Sequence, residues 1–136
     1  MFEVFDHTAD LGLRVRAADL NMLFSEAGRA FLSVLVSNPD AIEPRNAVEV
    51  NVAGADREYL LLDWINELLF LFESKKFLAS QFDATVCDDG VRGTVHGEPY
   101  DSARHALAHE VKAVTYHGLR VEPTESGWLA EVILDI

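Results

Sequence analysis

The stretch "REYLLLDWINELLFLFESKK", residues 57–76, decides how the chain folds. Apolar side chains occupy nearly every angular position of it. Between Tyr59 and Phe72 only Asp63, Asn66 and Glu67 interrupt them, and spacings of three and four residues gather those three on one helical face. Asp56 stands where an N-cap belongs. A helix this apolar is a central, buried one, with a single polar stripe open to solvent or to a partner.

On the N-terminal side, "NAVEVNV" (46–52) alternates Val48, Val50 and Val52 in the strand period, and Gly54 closes it. Further upstream, Asp19 caps a second helix whose apolar positions Leu20, Leu23, Phe24, Ala27, Phe31, Val34 and Leu35 recur at helical spacing and end before "NPD" (38–40). Phe2–Phe5 and Leu11–Ala17 alternate as strands, with Arg14 and Arg16 opposite the apolar face of the second. The polar connection "DHTADLG" joins them. On the C-terminal side, Phe77–Val86 and Val91–Gly97 flank "CDDG" (87–90), whose Asp-Gly step favours a tight hairpin turn with positive φ. Residues 98–110 stay open between a short helical turn at Asp101–Arg104 and a loop. "VKAVTYHGLRVEP" (111–123) and "GWLAEVILDI" (127–136) read as two more strands, turning between Pro123 and Gly127.

Strands, helix, strand, helix and then mainly strands predict an α+β fold. The expected form is a two-layer domain, a mixed and mostly antiparallel sheet with two main helices packed on one face. The other face is expected to be partly free for docking. At 136 residues without repeats or linker composition, a single domain over 1–136 is expected.

Composition narrows the function. With 11 basic against 23 acidic residues, the net charge of −12 repels phosphate backbones and anionic lipids, so no direct nucleic-acid binding and no membrane are expected. A basic protein partner or a bound cation suits this field, and acidity also serves solubility. Cys87 is the only cysteine, which leaves no internal disulfide and no thiolate zinc site. It fits a reducing, cytoplasmic setting. The start "MFEVFDHTAD" has no basic segment followed by an apolar run, so no signal peptide is expected.

Asp6 and Asp10 in "DHTAD" serve most simply as turn or cap residues. A functional reading needs further oxygens, and the end of the chain offers them: Asp135 and the terminal carboxylate of Ile136 are adjacent anions on a strand end. If that end lies beside Asp10, three anions converge, and such oxygens suit Ca²⁺, Mg²⁺ or Mn²⁺. His105 and His109 have i, i+4 spacing with Glu110 following, but "HALAHE" matches no zinc-protease pattern, and solvated or hydrogen-bonded histidines are the favoured reading. His96 is unremarkable. Lys112 reads as a snorkelling strand residue or as a group that reaches a carboxylate or phosphate. His117 reads as a sheet-face histidine ahead of a general base. No glycine cluster cradles a phosphate and no GxSxG is present, so the chemistry of an autonomous enzyme is thin.

Three stretches taken together resemble the archease family: "DHTADLGL", "LLLDWINELLFLFE" and "KAVTYHGLRVE…GWLAEVILDI", in the family's order and spanning nearly the whole chain. The resemblance implies a non-enzymatic activator of the RtcB-type RNA ligase of tRNA splicing and RNA repair, one that promotes ligase guanylylation and repeated turnover. It also implies a divalent ion, Ca²⁺ first, held by Asp10, Asp135 and Ile136, and a role in activation for Lys112. Against this stand a small metal-dependent hydrolase using Asp10, Asp135 and His117, and a chaperone-like binding module.

Overall fold

The computed structural model describes residues 1–136. Seven strands and two long helices follow one another as β1 (Phe2–His7), β2 (Asp10–Ala17), α1 (Leu20–Leu35), β3 (Asn46–Ala53), α2 (Arg57–Lys75), β4 (Phe77–Cys87), β5 (Gly90–Pro99), β6 (Ala113–Thr124) and β7 (Gly127–Asp135). All strand pairs are antiparallel. The α+β class holds, but the strands form two sheets where one was expected: β1-β2-β7-β6 and β3-β5-β4. Each helix packs against strands of both.

The reason lies in α2. Leu60, Leu61, Trp64, Ile65, Leu68 and Leu69 all fall below one-tenth exposure, and together they point to several sides of the helix. One sheet covers one side of a helix; this helix needs cover on more than one. Its open stripe holds Tyr59, Asp63, Glu67 and Phe70, all exposed, with Asn66 half-buried beside them. No side-chain hydrogen bond or ion pair engages Asp63, Asn66 or Glu67.

Both helices start as the sequence predicts. Asp19 accepts from the Met22 N–H at 2.8 Å. Asp56 accepts from the Glu58 and Tyr59 N–H groups at 2.9 and 3.2 Å, two donors no intrahelical carbonyl can satisfy. Asp56→Ala should therefore cost about 1 kcal/mol, read as a lower urea midpoint at unchanged slope. A shift indistinguishable from wild type would mean water replaces the cap without loss.

Core and outer faces alternate cleanly in the four-stranded sheet. Leu13 pairs with Val132 and Val15 with Ala130 on the core side. The outer side faces solvent and is charged. Glu3, Arg14, Glu131, Arg120 and Glu122 form a ladder of ion pairs across it, with Arg14 Nε and Arg120 Nε each donating to Glu131 at 2.7 Å. Burial alone raises the Glu131 carboxyl, but the hydrogen bonds from Arg120 and Arg14 outweigh it and hold the group below the usual carboxylate value. The Phe5 ring lies directly over Gly12, where any Cβ would overlap it.

Residues 98–110 resolve into a turn at 102–104 followed by extended chain. That chain is tied to the end of α1 by backbone bonds from Ser37 to Ala106, Ala108 to Leu35 and His109 to Val34. His105 and His109 are therefore not helical neighbours: the first is buried and the second exposed. The hairpin turn at "CDDG" is made by Asp88–Asp89, neither of which has positive φ, and not by the Asp-Gly step.

Candidate functional site

"DHTAD" is a hairpin with a two-residue turn. His7 pairs with Asp10 across Thr8–Ala9, and Thr8 holds φ +56°, an uncommon placement for a β-branched residue. Strand alternation then separates the two carboxylates of the motif. Asp6 shares the side of Val4, opposite Leu11, whereas His7 and Asp10 share the outer face with Phe5 and Gly12.

The other sequence candidates arrive at the same end of the sheet through β7. β2 and β7 pair as Leu11↔Leu134, and one further step of that register sets Asp10 opposite Asp135 on the outer face. β7 also pairs with β6 as Ala113↔Asp135, and the Lys112 N–H donates to the Asp135 carbonyl at 2.8 Å. Four residues from three distant stretches thus line one tip: His7, Asp10, Asp135 and Lys112. Ile136 follows immediately, half-buried against the core.

Two carboxylates directly opposite on neighbouring strands repel. Neither the Asp10 nor the Asp135 side-chain carboxylate accepts a hydrogen bond, and the one polar approach is His7 Nδ1 to Asp10 Oδ2 at 4.0 Å, beyond hydrogen-bond reach. The Lys112 side chain is exposed and makes no ion pair. This is the donor chemistry of a hard divalent cation. The side chains alone do not complete a site, because no three His, Cys, Asp or Glu groups are arranged to hold an ion.

A strict two-residue alternation does not hold along 111–117. Val111 and Val114 are both buried, so Val114 faces the core and Thr115 the outer side. Between Thr115 and Arg120 the register slips, because Thr115 meets Ile133 and Arg120 meets Glu131, leaving three extra residues on β6. Tyr116, His117 and Gly118 are exposed on this bulge, and Gly118 at φ +65° has open space where a side chain would go. The bulge brings the His117 ring to 5.9 Å from that of His7, although β6 and β1 are opposite edges of the sheet.

A second polar centre, not anticipated from sequence, lies between β5 and the 98–110 segment. Glu98, 5% exposed, accepts from the Glu43 N–H at 2.7 Å, from His105 Nε2 at 3.1 Å and from Arg104. Burial alone raises its carboxyl, but these three donors outweigh it and hold the group below the usual value. His105 Nδ1 accepts from the Asp101 N–H at 2.9 Å, which places the ring proton on Nε2. Every buried partner is satisfied, as in a structural staple. Sequence offered one signal for it, four charged or imidazole groups in "EPYDSARH", but no period to bring them together.

Comparison with known proteins bears on the family of the chain. The family model described as "Archease protein family (MTH1598/TM1083)" matches residues 2–136. A protein archease of Methanopyrus kandleri is 40% identical over 139 residues, covering 99% of each chain. The solution structure of Methanobacterium thermoautotrophicum protein 1598 is 35% identical, covers 99% of this chain and 98% of its own, and superposes with a TM-score of 0.86. A Thermotoga maritima archease, described as a possible chaperone, shares the fold at 18% identity, with a TM-score of 0.69 over 100% of this chain and 98% of its own. No helix of the chain is long and apolar enough to cross a membrane. Matched from end to end by the family model and by relatives above the 30% level, the chain belongs to the archease family.

Proposed function

We propose that this chain is a non-enzymatic, cytoplasmic activator of an RtcB-type RNA ligase, acting through the tip where Asp10, Asp135 and Lys112 meet. The observation that carries the reading is the convergence itself. Residues 10, 112 and 135, remote in sequence, are brought together by two strand registers, and all three carry side chains that the fold does not use.

In this reading Asp10, Asp135 and the terminal carboxylate of Ile136 hold a divalent ion, Ca²⁺ first and Mg²⁺ or Mn²⁺ next. Bound there, the ion supplies concentrated positive charge for phosphate oxygens in the ligase's guanylylation site. The chain's own part is positional. The hairpin turn fixes Asp10 against β7, and the free Lys112 ammonium pairs with an anion of the partner. A net charge of −12 favours docking to a protein that is basic because it holds RNA, and it keeps this chain off the RNA itself.

The test is RNA joining by a cognate ligase at substoichiometric concentration with GTP and Mn²⁺. Wild-type protein should convert a stalled single round into many. Lys112→Ala and Asp10→Asn should each lose about ten-fold or more of that stimulation while unfolding at the wild-type midpoint. No stimulation by wild-type protein, or full stimulation by both variants, would sink the reading.

A further inference from the structure

We infer that β3 takes an added strand at its open edge, from an extended segment of a basic protein in which lysine or arginine alternates with apolar residues. This edge belongs to the three-stranded sheet and the tip to the other, so the inference stands or falls apart from the function proposed above.

The direction of the main-chain groups carries it. β3 ends the sheet order β3-β5-β4 and so has a strand on one side only. The Gly54 N–H donates to the Asp89 carbonyl at 3.0 Å, one step beyond the pair Ala53↔Gly90, which fixes the phase of the ladder. Val48, Val50 and Val52 therefore turn their N–H and C=O groups toward β5, whereas Ala47, Glu49, Asn51 and Ala53 turn theirs outward. The Val52 carbonyl agrees, because a Cβ on Gly90 would overlap it. All four outward residues are exposed, and no group of the fold bonds their main chain on that side. The other three edges are guarded or short. β4 carries a bulge at Ser80, and its Val86 N–H is taken by Asn21 Oδ1 at 2.8 Å. β6 is interrupted by the bulge between Thr115 and Arg120. β1, the shortest strand, turns only Phe2, Val4 and Asp6 outward by the same reading of its Met1–Arg16 bonds. β3 runs eight residues with no bulge, proline or lysine.

Charge selects the occupant. On the outer face of this sheet Glu49 and Asp83 flank Thr94, and neither makes an ion pair; Arg92, one row along, is the only Lys or Arg there. With a net charge of −12, a second copy of this chain is repelled and a cationic strand is drawn in. Residues of that strand opposite Ala47, Glu49 and Asn51 share their outer face, where lysine or arginine meets Glu49. The residues between them continue the half-buried row of Val48 and Val52, where apolar side chains belong.

Amide hydrogen exchange read by NMR tests this, with a blocked peptide of alternating lysine and valine as the probe. In the protein alone the amides of Val48, Val50 and Val52 should exchange slowly and those of Ala47, Glu49, Asn51 and Ala53 fast. Saturating peptide should slow the second set by about ten-fold or more. The same peptide N-methylated at its lysines keeps its charge but loses the donors that face β3, and should slow none of them. Glu49→Lys leaves the main-chain edge intact and should weaken binding of the lysine peptide by about three-fold or more. No slowing by the lysine peptide, equal slowing by its N-methylated form, or undiminished binding to Glu49→Lys overturns the inference. Slow exchange of the outward amides without peptide overturns it as well, and sedimentation as a dimer would then name a second copy as the occupant.

Discussion

Replacing Trp64 with alanine should lower the stability of the fold by about 3–5 kcal/mol, a large part of the roughly 5–15 kcal/mol that holds a domain together. Trp64 is fully buried on α2 and joins three elements. Its indole lies against Gly93 of β5, so closely that a Cβ at that position would come within 2.5 Å of it. Its ring sits 6.5 Å from that of Phe24 on α1. Its Nε1 donates to the Phe24 carbonyl at 2.9 Å, which satisfies the one polar group this ring buries. Truncation removes the contact between helices, empties the space over Gly93 and leaves a cavity that the packed walls around it cannot close. Trp64→Phe should cost clearly less, because it keeps ring volume and loses the hydrogen bond. Chemical unfolding of the three proteins decides the matter: a Trp64→Ala loss below about 1.5 kcal/mol would mean the core relaxes around the gap.

Trp64 also shows how much the sequence could tell. The all-round apolar character of residues 57–76 named α2 as the buried centre, and Trp64 proves to be one of its fully enclosed side chains. The same feature implied cover from more than one side, yet periodicity gives faces and not partners, so the division into two sheets was not legible. Strand pairing over long separations, such as Leu11 with Leu134, is set by tertiary packing. At the tip, the meeting of Asp10 with Asp135 and Ile136 was raised from the residues as a condition, and Lys112 joined them only through likeness to a family. The register now gives it a physical basis. His7 was read as part of a turn, and its approach to His117 of the opposite edge strand follows a β6 bulge that period-two alternation cannot foresee. Glu98 was missed for a similar reason. It follows Val91, Gly93, Val95 and Gly97 at the wrong parity for the core, and is buried only because residues 101–105 fold back over it.

That burial makes Glu98→Ala the second severe change, with an expected loss of about 3–5 kcal/mol. The carboxylate is the shared acceptor for the Glu43 N–H, His105 Nε2 and Arg104, and with Asn38 it secures the crossing from β5 to β6. Alanine strips all three donors at once, and His105, 3% exposed, has no water to replace its partner. Acidity should act on the same centre. The folded state holds the Glu98 carboxyl below its unfolded value of about 4.3, so the charged form is bound more tightly by the native fold. Its contribution is complete above that unfolded value and drains away as the pH falls through the lower, folded one. Glu131 and Glu26, also held low, add to the same acid slope, so Glu98→Gln should flatten it without abolishing it. The measurement is urea unfolding of wild type and Glu98→Gln between pH 7 and pH 3. Parallel curves would show that the native fold does not favour ionised Glu98, and that its three donors act through shape alone.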